Sequence, residues 1–222
     1  EGWYGMGCSA MCDEVPPGDC HVSAIYLERS GLVGSLPSQV VALEHMASFD
    51  VASNQISGSI PADLGLSGSL YSLNLMHNEL TGSLPEELVC NPSLRTFKVD
   101  NNHFSSSIPV CDTDTAMVQF TASYNELTGP IPDWLFLGGV LGELQMTSNL
   151  LHGPLPASIA ASNSTLGSVY LGSNLLSGPL PEAVGCLTEM YFWTLSDNLI
   201  TGPLPASLCA MTELDNIQLG HN

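Results

Sequence analysis

The sequence predicts a β-rich α/β solenoid, in which the chain winds through a stack of short, similar coils and one strand from each coil joins a parallel sheet. Three observations predict this fold. A polar residue, nearly always asparagine, recurs at a nearly constant spacing, apolar residues hold fixed positions around it, and a short proline-containing block follows it. Since a unit of about 24 residues cannot bury its own apolar face, successive units must stack on one another.

The recurring polar residue, which we call the anchor, sets the register of the repeat. Apolar residues recur eight, five and three positions before each anchor and two and six positions after it. Segments 70–84 and 190–204 show the same register although they lie far apart in the chain. The nine anchors are Ser30, Asn54, Asn78, Asn102, Asn125, Asn149, Asn174, Asn198 and Asn222.

The residues just before each anchor predict a short strand. Two apolar residues flank one polar residue there, so alternate side chains point into a core. The anchor amide is expected to satisfy backbone groups at the sharp turn after the strand, where no neighbouring strand supplies a partner. We therefore interpret the anchors as parts of the scaffold rather than of a site.

A second recurring block, Leu-Thr/Ser-Gly-Ser/Pro-Leu/Ile-Pro, occupies segments such as 80–85, 127–132 and 176–181. With the anchors, it resembles the plant-type leucine-rich repeat, LxxLxLxxNxLxGxIPxxL, as found in extracellular receptor ectodomains and polygalacturonase-inhibitor-like proteins. This resemblance implies a right-handed superhelix with a concave parallel sheet, a second short sheet and short convex helical turns. It covers residues 22–222, about nine repeats with the last incomplete. Ser106 departs from the pattern by replacing its glycine.

Residues 1–21 are predicted to form an N-terminal disulfide cap. Trp3, Gly5 and Cys8 are similar to the W-x-G-V-x-C cap of plant-type receptors and inhibitors, although Glu1 stands where that cap usually has a cysteine. One bridge among Cys8, Cys12 and Cys20 leaves one thiol over, and its partner stays open.

The other four cysteines fall on the convex side of adjacent coils. Their positions predict bridges from Cys90 to Cys111 and from Cys186 to Cys209. Disulfides indicate an oxidising compartment, so the chain is expected to be secreted or to lie on the extracellular face of the cell surface.

The charge composition narrows the class of partner. The net charge is −19 because the chain has only 3 lysines and arginines against 22 acidic residues. So few bases argue against nucleic acid and anionic membranes as partners and favour cationic ones. No apolar run approaches the roughly 20 residues that span a bilayer.

Exposed strand positions on the concave face are the expected ligand-binding residues, because a solenoid holds them rigidly over an extended surface. The three bases map there, and Tyr170, Tyr191 and Phe192 are expected to form an aromatic patch. The complete predicted set is Tyr26, Arg29, Asp50, Asn74, Arg95, Lys98, Thr121, Gln145, Tyr170, Tyr191 and Phe192.

No catalytic signature accompanies these residues, so we expect no enzyme, no cofactor and no metal site. The favoured function is an extracellular binding or adhesion module that recognises a protein, peptide or glycan. A structural subunit of an extracellular assembly is the alternative. Ice binding is a minor alternative, based on a hydroxyl-rich column three residues after the anchors. Its members are Val33, Ser57, Thr81, Ser105, Thr128, His152, Ser177 and Thr201.

Two further expectations concern the surface. Asn163 begins the only glycosylation sequon, since Pro92 blocks the one at Asn91, and it is expected to carry a glycan. The ninth coil lacks its second half, so Leu195, Ile200 and Leu204 are expected to be exposed. We therefore expect either that the chain continues past residue 222 or that another subunit docks there by self-assembly.

Overall fold

A computed structural model describes residues 21–112 and 115–222. One strand from each coil joins a parallel concave sheet of nine strands in sequence order. Every strand is three residues long and pairs with the next through equivalent positions of the repeat, as the anchors predict. The strands are β1 (Ala24–Tyr26), β3 (Ser48–Asp50), β5 (Ser72–Asn74), β7 (Thr96–Lys98), β9 (Gln119–Thr121), β11 (Glu143–Gln145), β13 (Ser168–Tyr170), β15 (Phe192–Thr194) and β17 (Asn216–Gln218).

A second parallel sheet of eight strands runs along the adjoining side of the solenoid. Its strands contain the recurring glycine, which adopts a positive φ of 80° at Gly58 and 86° at Gly82. Ser106 takes the same left-handed conformation at φ 71°, although such angles disfavour residues with a Cβ. The strands are β2 (Val33–Ser35), β4 (Gln55–Gly58), β6 (Glu79–Gly82), β8 (His103–Ser107), β10 (Glu126–Gly129), β12 (Leu150–Gly153), β14 (Leu175–Gly178) and β16 (Leu199–Ile200).

Short helical turns close most coils on the convex side. Nearly all begin directly after a proline, whose fixed φ and missing N–H suit the start of a helix. Together with the two sheets, these turns confirm the predicted solenoid. The 3₁₀ helices are Ser38–Ala42, Ala62–Leu66, Ala157–Ser162, Glu182–Cys186 and Ala206–Ala210, and the α-helical turns are α1 (Glu86–Val89) and α2 (Trp134–Leu137).

The anchors satisfy backbone groups at the turn after each strand, as predicted, and they also hold adjacent coils together. The Asn102 amide donates to the carbonyl oxygens of Leu75, Val99 and Asp100 at 3.0–3.2 Å. Its Oδ1 accepts the N–H of Leu80 in the preceding repeat at 3.0 Å. The same pattern recurs at the other Asn anchors, most of which are buried. Each anchor thus satisfies backbone groups of two coils at once.

The exposure predicted at the C-terminal end is only partly correct. Leu204 is 64% exposed, whereas Leu195 is fully buried and Ile200 is half-buried. The expectation for Leu195 was wrong because β17 pairs with β15 and covers it. The Asn222 amide also donates to the carbonyl of Leu195 at 3.0 Å, which ties the ninth coil to the eighth.

The predicted bridge between Cys90 and Cys111 is confirmed, with the two Cα atoms 5.4 Å apart. The predicted bridge between Cys186 and Cys209 is wrong, because both are free and exposed. Cys90 is the fifth residue after Pro85, and Cys111 is the second residue after Pro109 in the next coil. A bridge between adjacent coils joins these two positions, and we call this offset the stagger. Cys8, Cys12 and Cys20 lie outside the described residues.

The same stagger explains the failure at the second pair. Cys186 is the fifth residue after Pro181, but the second residue after Pro205 is Ser207, and Cys209 lies two positions further on. A Cβ added to Gly185 would collide with Ser207, so the neighbour of Cys186 packs on Ser207. In a 3₁₀ helix, two positions rotate a side chain well away from the facing coil.

We therefore expect Ser207→Cys, made in a Cys209→Ser background, to form a disulfide with Cys186. The closed loop has the same sequence separation as the native bridge, 21, so oxidation should stabilise the fold by about 3 kcal/mol in the chain-entropy model. Thiol titration and urea unfolding with and without reductant measure the effect. The Cys186→Ser, Ser207→Cys, Cys209→Ser triple variant is the matched control. If peptide mapping after oxidation finds the Cys186 thiol still free, the proposed stagger is contradicted.

Candidate binding surface on the concave sheet

Two parallel rows of side chains cover the outer face of the concave sheet. In a three-residue strand the first and third side chains point to the same face, and the middle one enters the core. The third positions form the predicted row, and the sheet register places Lys98, Thr121, Gln145 and Tyr170 beside one another on β7, β9, β11 and β13. The first positions form a second row, which includes Glu143 and of which only Phe192 was predicted from the sequence.

The first part of the sheet carries polar side chains that bind one another. Tyr26 ends β1 and is 67% exposed. Asp50 accepts a hydrogen bond from the Asn74 amide at 2.8 Å and another from the backbone N–H of Ala52 at 3.0 Å. Asp50 and Asn74 therefore form a linked pair on adjacent strands, with Tyr26 beside it.

The three bases do not share one environment. Arg29 lies in the turn after β1 rather than on a strand, with a positive φ of 53°, and it pairs with Glu28 at 3.4 Å. Arg95 directly precedes β7, and Lys98 ends it. Both are half-buried, and within residues 21–112 and 115–222 neither forms a salt bridge. Arg95 and Lys98 are thus two uncompensated cations, one just before β7 and one at its end.

Thr121 is poorly placed to meet a ligand. It is only 4% exposed, and its hydroxyl donates to the Asp100 carboxylate. Asp100 also accepts the backbone N–H of Ser123 at 2.8 Å. The expectation for Thr121 was therefore wrong, because its one polar group is already used inside the protein. Thr121 is thus a short, neutral residue between Lys98 and Gln145 in the row.

Glu143 is the most important residue that sequence reasoning missed. It begins β11, is half-exposed, and accepts hydrogen bonds from the side-chain amides of Gln119, at 2.5 Å, and Gln145. A signal for it was present, since it lies two residues before the predicted Gln145 and alternate strand residues share a face. The two amides hold the carboxylate in a fixed orientation on the sheet surface.

The predicted aromatic patch is assembled beside Glu143. The rings of Tyr170 and Phe192, on adjacent strands, stack with centroids 4.8 Å apart and an interplanar angle of 26°. Tyr191 precedes β15 and is 54% exposed. Its ring lies over Gly167, where an added Cβ would come within 2.7 Å of it. The three rings and Glu143 thus form one surface across β11, β13 and β15.

This surface perturbs Tyr170. Burial raises the pKa of Tyr170 above its ordinary value of 10.0, and the nearby Glu143 carboxylate and Tyr191 raise it further. The neutral phenol is the form that the folded protein favours, so this contribution to stability is lost as the pH rises past the pKa of Tyr170.

We expect Glu143→Gln to lower the pKa of Tyr170 towards 10.0, because it removes the negative charge but keeps a side chain of similar size. Ultraviolet titration of phenolate formation measures the change, and subtraction of the Tyr170→Phe titration isolates this tyrosine. Glu126→Gln, on β10 of the second sheet, is the control for net charge. An unchanged Tyr170 titration in Glu143→Gln would show that the carboxylate does not act on the ring.

Asn163 lies on the convex side, at the end of the helix Ala157–Ser162, and its side chain is exposed. The Thr165 hydroxyl of the sequon donates to the Leu141 carbonyl at 2.9 Å. We expect a glycan at Asn163 when the chain is produced in a eukaryotic secretory pathway, because an exposed asparagine is open to the modifying enzyme. Intact-mass analysis with and without amidase treatment, with Asn163→Gln as control, measures it. An unmodified Asn163 in secreted protein would refute the expectation.

The described residues contain no group of three or more His, Cys, Asp or Glu side chains that could hold a metal ion. None of the described helices is long and apolar enough to cross a membrane. What the concave surface offers is a pair of cations, a fixed carboxylate, exposed aromatic rings and side-chain amides. These are groups that bind a ligand.

Comparison with known proteins agrees with the fold. The leucine-rich-repeat family model matches residues 69–91. The ectodomain of the Arabidopsis thaliana receptor kinase GASSHO1/SCHENGEN3, solved with CASPARIAN STRIP INTEGRITY FACTOR 2, superposes with a TM-score of 0.78 at 29% identity, over 83% of this chain and 22% of that one. The Arabidopsis receptor kinase HAESA, in complex with the peptide hormone IDA and the co-receptor SERK1, superposes with a TM-score of 0.78 at 26% identity, over 84% of this chain and 31% of that one.

A plant ice-binding protein shares the fold alone, with a TM-score of 0.63 at 19% identity over 90% of this chain and 76% of that one. No curated protein matches the sequence significantly. The chain spans between a fifth and a third of the length of the two receptor ectodomains. The chain has a leucine-rich-repeat fold, and that fold is similar to the ectodomains of plant receptor kinases.

Proposed function

We propose that the chain is an extracellular ligand-binding module that recognises a peptide or protein on its concave sheet. The observation that carries the proposal is the pair of uncompensated cations at β7, Arg95 directly before the strand and Lys98 at its end. In this surface they are the groups suited to an anionic group of the ligand, either a C-terminal carboxylate or an acidic side chain.

The electrostatic setting supports this role. The chain carries a net charge of −19, so its overall field repels an anionic ligand everywhere except close to its few bases. Arg29 is paired with Glu28, which leaves Arg95 and Lys98 as the accessible cationic pair. Half-burial lowers the local dielectric and strengthens their attraction for a carboxylate.

The similar receptors support the class of ligand. HAESA is described in complex with a peptide hormone, and we extend peptide binding to this chain as part of the proposal. The disulfide between Cys90 and Cys111 supports an extracellular setting, because such bridges persist in oxidising compartments.

The test compares Lys98→Gln with Arg29→Gln, which removes the same charge outside the proposed site. The probe is the peptide N-acetyl-Gly-Ser-Gly-Asp, and its Asn-amide analogue lacks both carboxylates. Lys98→Gln should weaken binding of the acidic peptide about tenfold, since one charge-assisted hydrogen bond contributes about 1.5–3 kcal/mol. Arg29→Gln should leave it unchanged. Calorimetry or NMR titration measures both.

Equal loss of binding in the two variants, or equal binding of the acidic peptide and its neutral analogue, would overturn the proposal. Retained binding at high salt would also count against it, because attraction between partly exposed charges weakens with ionic strength.

The second sheet gives little support to ice binding. Its register pairs Ser57 with Glu79 and Thr81 with His103. Ser57 and Thr81 belong to the hydroxyl-rich column, so successive members of that column do not lie directly opposite one another. Val33 and His152 also interrupt the column, because neither side chain carries a hydroxyl group. We therefore do not propose ice binding, and no thermal hysteresis is expected.

A further inference from the structure

We propose a second subsite, formed by Glu143, Tyr170, Tyr191 and Phe192, that takes a cationic side chain of the ligand, an arginine or a lysine. The subsite stands on its own contacts. The statement that one peptide occupies both subsites rests on the proposed function, because it places the anionic group of that peptide at Arg95 and Lys98.

The Glu143 carboxylate has a charge that the protein leaves uncompensated. Its oxygens accept hydrogen bonds from the amides of Gln119 and Gln145, which are neutral groups. Across the part of the chain that the structure describes, no lysine, arginine or histidine forms a salt bridge with it. A half-buried carboxylate that is already oriented and has no counterion favours an incoming cation, since little ordering remains to be done on binding.

The aromatic rings beside Glu143 supply the second attraction for a cation. Tyr170 and Phe192 are stacked against each other, and Tyr191 stands more than half exposed at the edge of the same surface. A guanidinium or ammonium group placed against these rings gains a cation–π interaction, because the face of an aromatic ring attracts positive charge. The methylene groups of an arginine or lysine also pack well on aromatic surface.

Gly167 makes room for the Tyr191 ring at one edge of this surface. Gly167 directly precedes Ser168, the first residue of β13, and Tyr191 directly precedes Phe192, the first residue of β15. A Cβ at Gly167 would collide with the Tyr191 ring, which lies over this glycine. The ring therefore packs close to the backbone before β13 and bounds the surface on that side.

The two subsites have opposite charge and a defined separation. Lys98 and Tyr170 lie in the same row, three strand spacings apart, which is about 14 Å at about 4.8 Å per spacing. Thr121 and Gln145 fill the row between them with neutral side chains. An extended peptide advances about 3.3–3.6 Å per residue, so the ligand should carry its acidic and basic groups about four residues apart and should cross the strands.

A cationic side chain fits this surface better than a neutral sugar does. Aromatic rings and amides suit both ligands, but a neutral sugar brings no positive charge to the Glu143 carboxylate, whose two hydrogen-bond donors, Gln119 and Gln145, are also neutral. A cation gains from the full negative charge of Glu143 and from the acidic charge of the chain as a whole.

The test uses three probes on the whole chain: N-acetyl-arginine amide for the cationic subsite, N-acetyl-aspartate amide for Arg95 and Lys98, and a terminally blocked peptide, Asp-Gly-Ser-Gly-Arg. Glu143→Gln should weaken binding of the arginine probe about tenfold and leave the aspartate probe unchanged. Lys98→Gln should have the opposite effect. The five-residue peptide should bind at least tenfold more tightly than either single probe, because its second contact is intramolecular.

Control variants separate charge from folding. Glu126→Gln removes one acid from the second sheet and should leave all three affinities unchanged. Thermal unfolding verifies that every variant is folded, and Glu143→Gln should fold normally because its side chain is half-exposed and close in size.

Three results would overturn the inference. An arginine probe that binds Glu143→Gln as tightly as the original chain would remove the cationic subsite, while the Lys98 result would still decide the proposed function by itself. A five-residue peptide no tighter than its better fragment would show that one ligand does not occupy both subsites. Binding of cellotetraose that Phe192→Ala abolishes and Glu143→Gln preserves would assign the surface to sugars.

Discussion

Trp193→Ala is expected to destabilise the protein by about 3–5 kcal/mol, the usual cost of removing a large buried aromatic side chain. Trp193 is fully buried, and the sheet register places it between Val169 and Ile217. The neighbouring coils cannot collapse into the space, since each is held by its own anchor and strand pairing. Urea unfolding followed by circular dichroism measures the loss, and a midpoint within error of the original would contradict this account of the core.

Trp193→Phe separates the contribution of the ring volume from that of the indole N–H. The indole Nε1 of Trp193 is buried and has no hydrogen-bond partner among the residues that the structure describes. Phenylalanine keeps most of the ring volume and removes the unpaired N–H, whose burial costs about 1–3 kcal/mol. We therefore expect a net loss of no more than about 1.5 kcal/mol. A loss as large as that of Trp193→Ala would show that the indole N–H is satisfied in solution.

Asn102→Ala is expected to cost about 3–4 kcal/mol, because it removes four hydrogen bonds, two of them to the preceding coil, and leaves the buried N–H of Leu80 without its partner. The loss far exceeds that of an ordinary exposed asparagine, which is usually within about 0.5 kcal/mol. Chemical unfolding at one fixed ionic strength measures the difference.

Asn54→Ala is the matched control for this effect. Asn54 makes the same kind of bonds, to the carbonyls of Leu27 and Val51 and from the N–H of Leu32, but it is half-exposed, so water can replace its side chain. Its loss should be about 1–2 kcal/mol. Equal losses at Asn54 and Asn102 would show that burial does not set the contribution of an anchor.

The scaffold could be predicted because each repeat is specified by residues that are close together in the sequence. The spacing of apolar residues around each anchor locates the concave strands, and their pairing follows once equivalent positions stack. The second sheet shows the limit of this reasoning, since Ser57 pairs with Glu79 rather than with Thr81, its equivalent in the next repeat. That shift depends on how adjacent coils pack, which no single repeat specifies.

The cysteines also separate what the sequence predicts from what the packing of the coils decides. Cys90 and Cys111 bridge because the chain after Pro109 brings the second residue of one coil opposite the fifth residue of the coil before it. The sequence places Cys186 and Cys209 on adjacent coils equally well, yet their positions do not match that stagger, and both stay free. The repeat spacing in the sequence shows which residues fall on adjacent coils. Whether their side chains face each other depends on how one helix packs on the next.

The sequence by itself determined the solenoid, the register of the concave strands and the face on which Lys98, Gln145, Tyr170 and Phe192 lie, because alternation along a strand is a local property. Only the tertiary structure decided which side chains on that face are free to meet a ligand. In the folded chain the Thr121 hydroxyl is hydrogen-bonded to Asp100 and is not free for a ligand, and Glu143 lies beside the stacked rings. Both outcomes depend on contacts between side chains of adjacent coils, which form only when the coils are stacked.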